Sequence, residues 1–284
     1  MPPAVARATF AIVTGVERVF ASSDPLDARV DRIFACDERY RAPVAERILP
    51  DGAIHLIFNL GDRPSGDRGA DLAAMAMGAT CAPTRIVLAG TIDQVCVRVG
   101  IGRAAAVLGV PARAVTDHGV SLHDLWGVAA AETLEQLHAA RTARARIALV
   151  ASILRERVGK ATPPAPAVGE AMRRIAACGG RVRIPALAAD LGVGERRLQQ
   201  LFLAQIGLSP KVTCRLARFR AVIARWRREP RRSWTETALE VGFYDQAHLV
   251  NELKAFTGLT PGELARQHRE FGFLQDGSGA AGSQ

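Results

Sequence analysis

Two short segments carry side chains that can read nucleic-acid bases. The first, ERRLQQLFLAQ, holds Arg196, Gln199 and Gln200. Arg bonds guanine and Gln bonds adenine in bidentate fashion from the major groove, which suits both to base recognition. The second, DQAHLVNELKAF, holds Gln246, His248 and Asn251, with Lys254 one turn further on. The segments belong to an internal repeat offset by 51 residues. Leu198, Phe202, Gly207, Leu208, Ser209 and Pro210 recur as Leu249, Leu253, Gly258, Leu259, Thr260 and Pro261. With Leu187, Leu191, Leu198 and Phe202 turned inward, Glu195, Arg196, Arg197, Gln199 and Gln200 fall on the outside of a helix.

No other cluster offers competing chemistry. Gly100, Gly102 and Ala105 fit a G-x-G-x-x-A dinucleotide fingerprint. The helix it would open is stopped by Gly109-Val110-Pro111, so a simple strand-to-helix turn is the expectation. His55, His118 and His123 are too few and too unevenly spaced for a metal site, and His55 reads as a core histidine within a strand. Cys36, Cys81, Cys96, Cys178 and Cys214 are scattered, odd in number and never paired C-x-x-C. They read as buried thiols in a reducing cytoplasm rather than a disulfide frame. Asp51, Asp62 and Asp67 read as turn residues. No catalytic residue, cofactor or metal is expected.

The two segments must be positioned by short helices. Each copy begins with a helix, IPALAADLG or TETALEVG, and turns at Gly192–Gly194 or Gly242–Phe243. The base-reading helix follows and ends at Gly207 or Gly258, residues suited to a left-handed cap. Ser209 or Thr260 then caps a new helix with Pro at its first position. Helix, glycine-containing turn, helix is the helix-turn-helix plan. Between the copies, residues 210–228 are predicted as one helix with Leu216, Phe219, Val222, Ile223 and Trp226 inward. Its length is about 28 Å, against about 34 Å between successive major-groove faces. One connector can therefore hold two reading helices near adjacent grooves. Arg197, Arg215, Arg218, Arg225 and Lys254 are expected at phosphates, and Arg227, Arg228, Arg231 and Arg232 either there or in water.

Charge agrees with this placement. The chain has 284 residues and a net charge of +9, of which residues 166–270 carry +8. A basic segment joined to a near-neutral one points to a polyanion ligand. Apolar residues make up 49% and charged residues 23%, which excludes global disorder. No apolar run reaches the roughly 18–20 residues of a membrane span, and no signal peptide is expected. The fold class expected is α+β: a β-rich domain with closing helices over 1–158, a Pro-rich linker at 159–167, an all-α domain of two helix-turn-helix units over 168–270, and a tail at 271–284. In the first domain, Ile54–Leu60, Arg85–Ala89 and Val95–Val99 are expected strands. Ser121 is expected to cap a helix carrying Leu122, Leu125, Trp126 and Ala129, and Ile147, Val150, Leu154 and Val158 mark another.

Over about residues 170–266 the chain resembles the AraC/XylS family of bacterial transcription regulators. The resemblance rests on LAADLGVGERRLQQLF, GLSP, RLARFRAVIARW and ALEVGFYDQAHLVNELKAFTGLTPGEL, in that order. It implies that Arg196, Gln199 and Gln200 read bases for the first unit, and Gln246, His248 and Asn251 for the second. Asn251 stands where the family often has Arg, Leu253 where Phe is usual, and Leu264 where an aromatic is usual. The N-terminal half resembles an uncharacterised domain that precedes this module in some members, through ILPDGAIHLIFNLGD, AAAVLGVPARAVTDHGVSLHDLW and FGFLQD. The function implied is a cytoplasmic, sequence-specific regulator that binds double-stranded DNA. A small-molecule effector, RNA polymerase and a second copy of the chain are the further partners implied. The alternative is a nucleotide-binding or redox enzyme domain fused to a DNA-binding module.

Overall fold

The computed structural model describes residues 7–9, 20–21, 30–99, 103–159, 165–229 and 233–271. The fold is α+β. Among the described residues eight strands form one sheet: β1 (Arg7–Thr9), β2 (Phe20–Ala21), β3 (Val30–Ile48), β4 (Ile54–Asn59), β5 (Ser65–Gly66), β6 (Ala74–Met77), β7 (Thr84–Val99) and β8 (Gly119–Ser121). The main order is β1-β3-β7-β4-β6-β8, with β2 also on β3 and β5 also on β7. All pairings are antiparallel except β1 with β3.

The strands Arg85–Ala89 and Val95–Val99 are one long strand, not two. β7 pairs with β3 from Ile48↔Thr84 to Val30↔Val99, with register shifts near each end of Arg32–Tyr40. Gly90 makes the continuous strand possible. Its φ is 71°, and a Cβ there would collide with the Asp62 carboxylate, which accepts from Thr91 N–H at 2.8 Å. The strand serves two apolar clusters. Ile86, Leu88 and Ile92 lie in a small one, whereas Val95, Val97 and Val99 join the main core. Arg98, which interrupts the apolar run, donates to Asp51 at 2.7 Å.

Four helices close the sheet domain: α1 (Ala104–Leu108), α2 (Leu122–Trp126), α3 (Val128–Ala139) and α4 (Ala143–Gly159). Ser121 caps α2 by accepting from His123 N–H at 3.2 Å. The expected single helix beyond it is broken at Gly127, whose φ of 62° and ψ of −139° leave helical space. On α4, Ile147, Val150, Leu154 and Val158 are all buried. The fingerprint glycines Gly100 and Gly102 lie outside the described residues. The helix after them has only five residues and ends at left-handed Gly109.

The helical domain comprises α5 (Pro166–Ala177), α6 (Ile184–Asp190), α7 (Glu195–Gln205), α8 (Pro210–Arg228), α9 (Trp234–Val241), α10 (Gln246–Thr257) and α11 (Pro261–Phe271). α4 runs into the expected linker as far as Gly159, and Pro166 already sits in the first turn of α5. Val168, Ala171 and Ile175 of α5 are buried, and the helix packs on α7 and α8. One apolar cluster continues from the sheet through α1 and α4 into the helical domain.

Candidate nucleic-acid interface

Each helix-turn-helix unit is built by local capping and one apolar stripe. In the first, α6 buries Leu187 and Ala188, and Gly192 turns the chain with φ 65°. α7 then buries Leu198 and Phe202, both 0% exposed. This i, i+4 pair faces the core, and Arg196, Arg197, Gln199 and Gln200 are left exposed. Gly207 ends the unit with φ 87°. Ser209 caps α8 by accepting from Val212 N–H at 3.3 Å.

The second unit repeats the plan with stronger caps. Ser233 accepts from Thr235 N–H at 3.2 Å and Glu236 N–H at 3.3 Å. Gly242 ends α9 with φ 88°. Asp245 caps α10, accepting from His248 N–H at 2.7 Å. Leu249, Leu253 and Phe256 face inward, whereas Gln246, His248 and Asn251 are exposed. Gly258 ends the helix with φ 68°. Thr260 and Glu263 form a reciprocal capping box at α11, with Thr260 N–H donating to Glu263 Oε2 at 2.7 Å and Glu263 N–H to Thr260 Oγ1 at 3.3 Å.

Two of the six side chains are oriented by neighbours. Thr235 Oγ1 donates to Gln246 Oε1 at 2.8 Å. One amide lone pair is thus occupied, and the NH2 keeps its donors for an incoming acceptor. The His248 ring packs edge-on against Phe243, 5.1 Å between centroids. Tyr244 lies in the turn just before α10 and is 88% exposed. Sequence reading passed over it, although an aromatic among polar turn residues is the signal that marks it.

Three of the arginines expected at phosphates have partners within the fold. Arg215 is occupied internally: Nη2 donates to Glu252 Oε1 at 2.7 Å and Nε to Oε2 at 3.0 Å. Its guanidinium also stands 5.5 Å from the Phe256 ring centre. Arg218 donates to the Gly180 carbonyl at 2.6 Å. Arg225 pairs with Glu229 at 3.1 Å and Glu240 at 3.4 Å. These three arginines bind α8 to α10, to the turn after α5 and to α9, so they serve the scaffold. Arg197 and Lys254 are exposed, as are Arg220 and Arg228 on α8. Arg231 and Arg232 lie outside the described residues, and so does the Arg227 side chain.

Among the described residues no group of His, Cys, Asp and Glu is arranged to hold a metal ion. His55 is only half satisfied: Nε2 lies 3.1 Å from Asp51 Oδ1, and buried Nδ1 has no hydrogen-bond partner. Burial works to raise the Asp51 pKa, but His55, the Arg98 guanidinium and the Ala53 N–H outweigh it and hold the carboxyl well below its usual range. A depressed carboxyl stabilises the fold above its unfolded pKa and loses that contribution as pH falls below about 4. Asp51→Asn is expected to flatten the acid limb of a melting-temperature profile below pH 4. An unchanged limb would remove Asp51 from that role. Burial pushes the Cys36 thiol up to about 12, and those of Cys81 and Cys214 to about 11, which is the opposite of a reactive thiolate.

Residues 187–267 match the family model of a helix-turn-helix domain, and residues 18–121 that of a domain of unknown function, DUF6597. No curated protein matches the chain. Among solved structures, ToxT from Vibrio cholerae O395 is 8% identical over 83% of this chain and 96% of its own, with a TM-score of 0.44. Unsaturated fatty acid bound wild-type ToxT from Vibrio cholerae strain SCE256 is 10% identical over 83% and 94%, with a TM-score of 0.42. The AraC-like transcriptional activator CuxR is 12% identical over 72% and 79%, with a TM-score of 0.32. The family match runs from within α6 to within α11 and so takes in both repeat units, and residues 187–267 belong to this helix-turn-helix domain family.

Proposed function

We propose that the chain regulates transcription by reading two successive major-groove segments of double-stranded DNA, α7 in one and α10 in the next. The observation that carries this reading is the pair of repeat-related helices whose inward faces are buried and whose outward faces are polar. Arg196, Gln199 and Gln200 form the first base-reading set, and Gln246, His248 and Asn251 the second. Tyr244 adds an aromatic at the edge of the second. Arg197 and Lys254 are the phosphate contacts. The 19 residues of α8 span about 28 Å, close to the roughly 34 Å between adjacent major-groove faces.

Arg196→Ala is expected to cost about 1–3 kcal/mol at the preferred site and to relax choice at one base pair. Equal weakening on every sequence would make Arg196 a phosphate contact instead. The test of the whole reading is selection of bound fragments from a genomic pool at several salt concentrations. The expected result is a motif with two half-sites about one helical turn apart and an affinity that falls steeply with salt. Absence of enrichment, in buffer and in cell extract, would overturn it.

The same proposal includes an effector acting on residues 1–158, in the cytoplasm, where a second copy and RNA polymerase are the protein partners. An effector changes DNA reading only by binding two states unequally. Added cell extract is therefore expected to shift the affinity for the selected motif.

A further inference from the structure

The sheet domain grips both reading helices, and at the same place. Thr116 follows the 3-10 turn Ala112–Ala114 and donates Oγ1 to the Gly207 carbonyl at 2.9 Å. Arg47, on β3, donates Nη1 to the Thr257 carbonyl at 3.0 Å. Gly207 and Gly258 are the left-handed residues that terminate α7 and α10, and they are one position in the 51-residue repeat. Thr257 immediately precedes the second of them. Each reading helix thus receives one polar contact from the sheet domain at its carboxyl end. The Thr257 carbonyl, on the last residue of α10, lacks an intrahelical partner and carries partial negative charge, which suits a guanidinium, and the Gly207 carbonyl lies two residues past the end of α7, where a hydroxyl donor meets it.

The grip is close. A Cβ on Gly207 would stand 2.6 Å from Thr116 Oγ1, and one on Gly52 would stand 2.5 Å from Leu216 on α8. The sheet domain therefore touches the first unit, the connector and the second unit at once. None of these contacts obstructs the reading faces. Arg196, Gln199, Gln200, Gln246, His248 and Asn251 lie in the amino-terminal halves of their helices and are exposed.

We propose that Arg47 and Thr116 are positioning residues: they brace α7 and α10 against one sheet and so set the spacing of half-sites the chain accepts. The inference rests on the DNA-reading proposal for its consequence, but the brace itself is measurable without DNA. α8 joins the units end to end and is tied to α10 through Arg215–Glu252 and to α9 through Arg225–Glu240. Two contacts to a common body add a second constraint on the roll of one unit against the other. Any ligand that moves the loop at Thr116 relative to β3 then alters both units together.

The test uses the full chain. Spin labels on non-canonical amino acids at exposed positions 189 and 255 report the distance between the units, and DNA duplexes with varied half-site separation report the spacing preference. The wild-type chain should show one narrow distance distribution. It should also prefer its best spacing over one two base pairs longer by about tenfold or more, within the usual range of coupling between sites. In the Arg47→Ala, Thr116→Val double variant the distribution should broaden and the preference fall to about twofold. Affinity for a single half-site should be unchanged, and Arg47→Lys should retain most of the preference. Narrow distributions and an unchanged spacing profile in the double variant would overturn the brace. So would a broadening in Arg47→Ala that Arg47→Lys does not restore and Thr116→Val does not share, which would signify local unfolding. A wild-type chain that prefers no DNA would sink the DNA reading, and the distance measurement would still decide the brace.

Discussion

Phe202→Ala should destabilise the chain by about 3–5 kcal/mol in chemical denaturation. Phe202 is 0% exposed and stands one turn after Leu198, also 0% exposed, on the buried side of α7. α7 packs against α5, α6 and α8 on one hand, and against α1 and the 3-10 turn of the sheet domain on the other. Truncation removes a fully buried ring from a helix against which elements of both domains pack, so the gap it leaves cannot close freely. The second repeat offers an internal comparison. Its counterpart is Leu253, 1% exposed, on the same buried side of α10 as Phe256. Leu253→Ala removes fewer atoms and is expected to cost about 2–4 kcal/mol. A loss below about 1 kcal/mol for Phe202→Ala would mean that the first unit repacks freely, and that α7 is not fixed by its core.

The helical domain was largely legible because its boundaries are local chemistry. Ser209, Ser233, Asp245 and Thr260 each cap the helix that follows, and Gly207, Gly242 and Gly258 end the one before. Such signals act over three or four residues and do not depend on the rest of the fold. α5 was legible only in part, since Pro166 reads equally well as linker or as the first turn of a helix. The sheet was harder. β3 contains DERYRAPVAER, a run with no clean alternation, and becomes a strand because β7 pairs along its length. β7 itself was divided at Gly90, where only a partner, Asp62, explains the residue. Long-range pairing decides such cases, and it is not written in any window of ten residues. The arginines of α8 illustrate the same limit within the candidate interface. Arg215 and Arg220 look alike in sequence, yet Arg215 meets Glu252 from α10 and Arg220 faces outward. The repeat placed the six base-reading candidates on exposed faces, since Leu198, Phe202, Leu249 and Leu253 settle which side is inward.

Asn251 and Glu252 are adjacent on α10, and their substitutions should separate reading from scaffold. Asn251 is exposed, whereas the Glu252 side chain is 11% exposed and holds Arg215 through both carboxylate oxygens. Glu252→Ala removes the partner of a guanidinium that is itself only 34% exposed. The uncompensated charge and lost hydrogen bonds should cost about 2–3 kcal/mol, below the full value for a buried pair because water reaches Arg215. Glu252→Gln keeps one acceptor and should recover part of that loss. Asn251→Ala should leave stability within about 0.5 kcal/mol and lower affinity for the selected motif by about 1–3 kcal/mol at one base pair. Melting curves and binding isotherms on the same samples decide the matter. If Glu252→Ala altered base preference with stability intact, the ion pair would belong to the reading surface rather than to the tie between α8 and α10. If Asn251→Ala instead destabilised the fold, the inward and outward sides of α10 would be exchanged, and the base-reading set of the second unit would have to be redrawn around it.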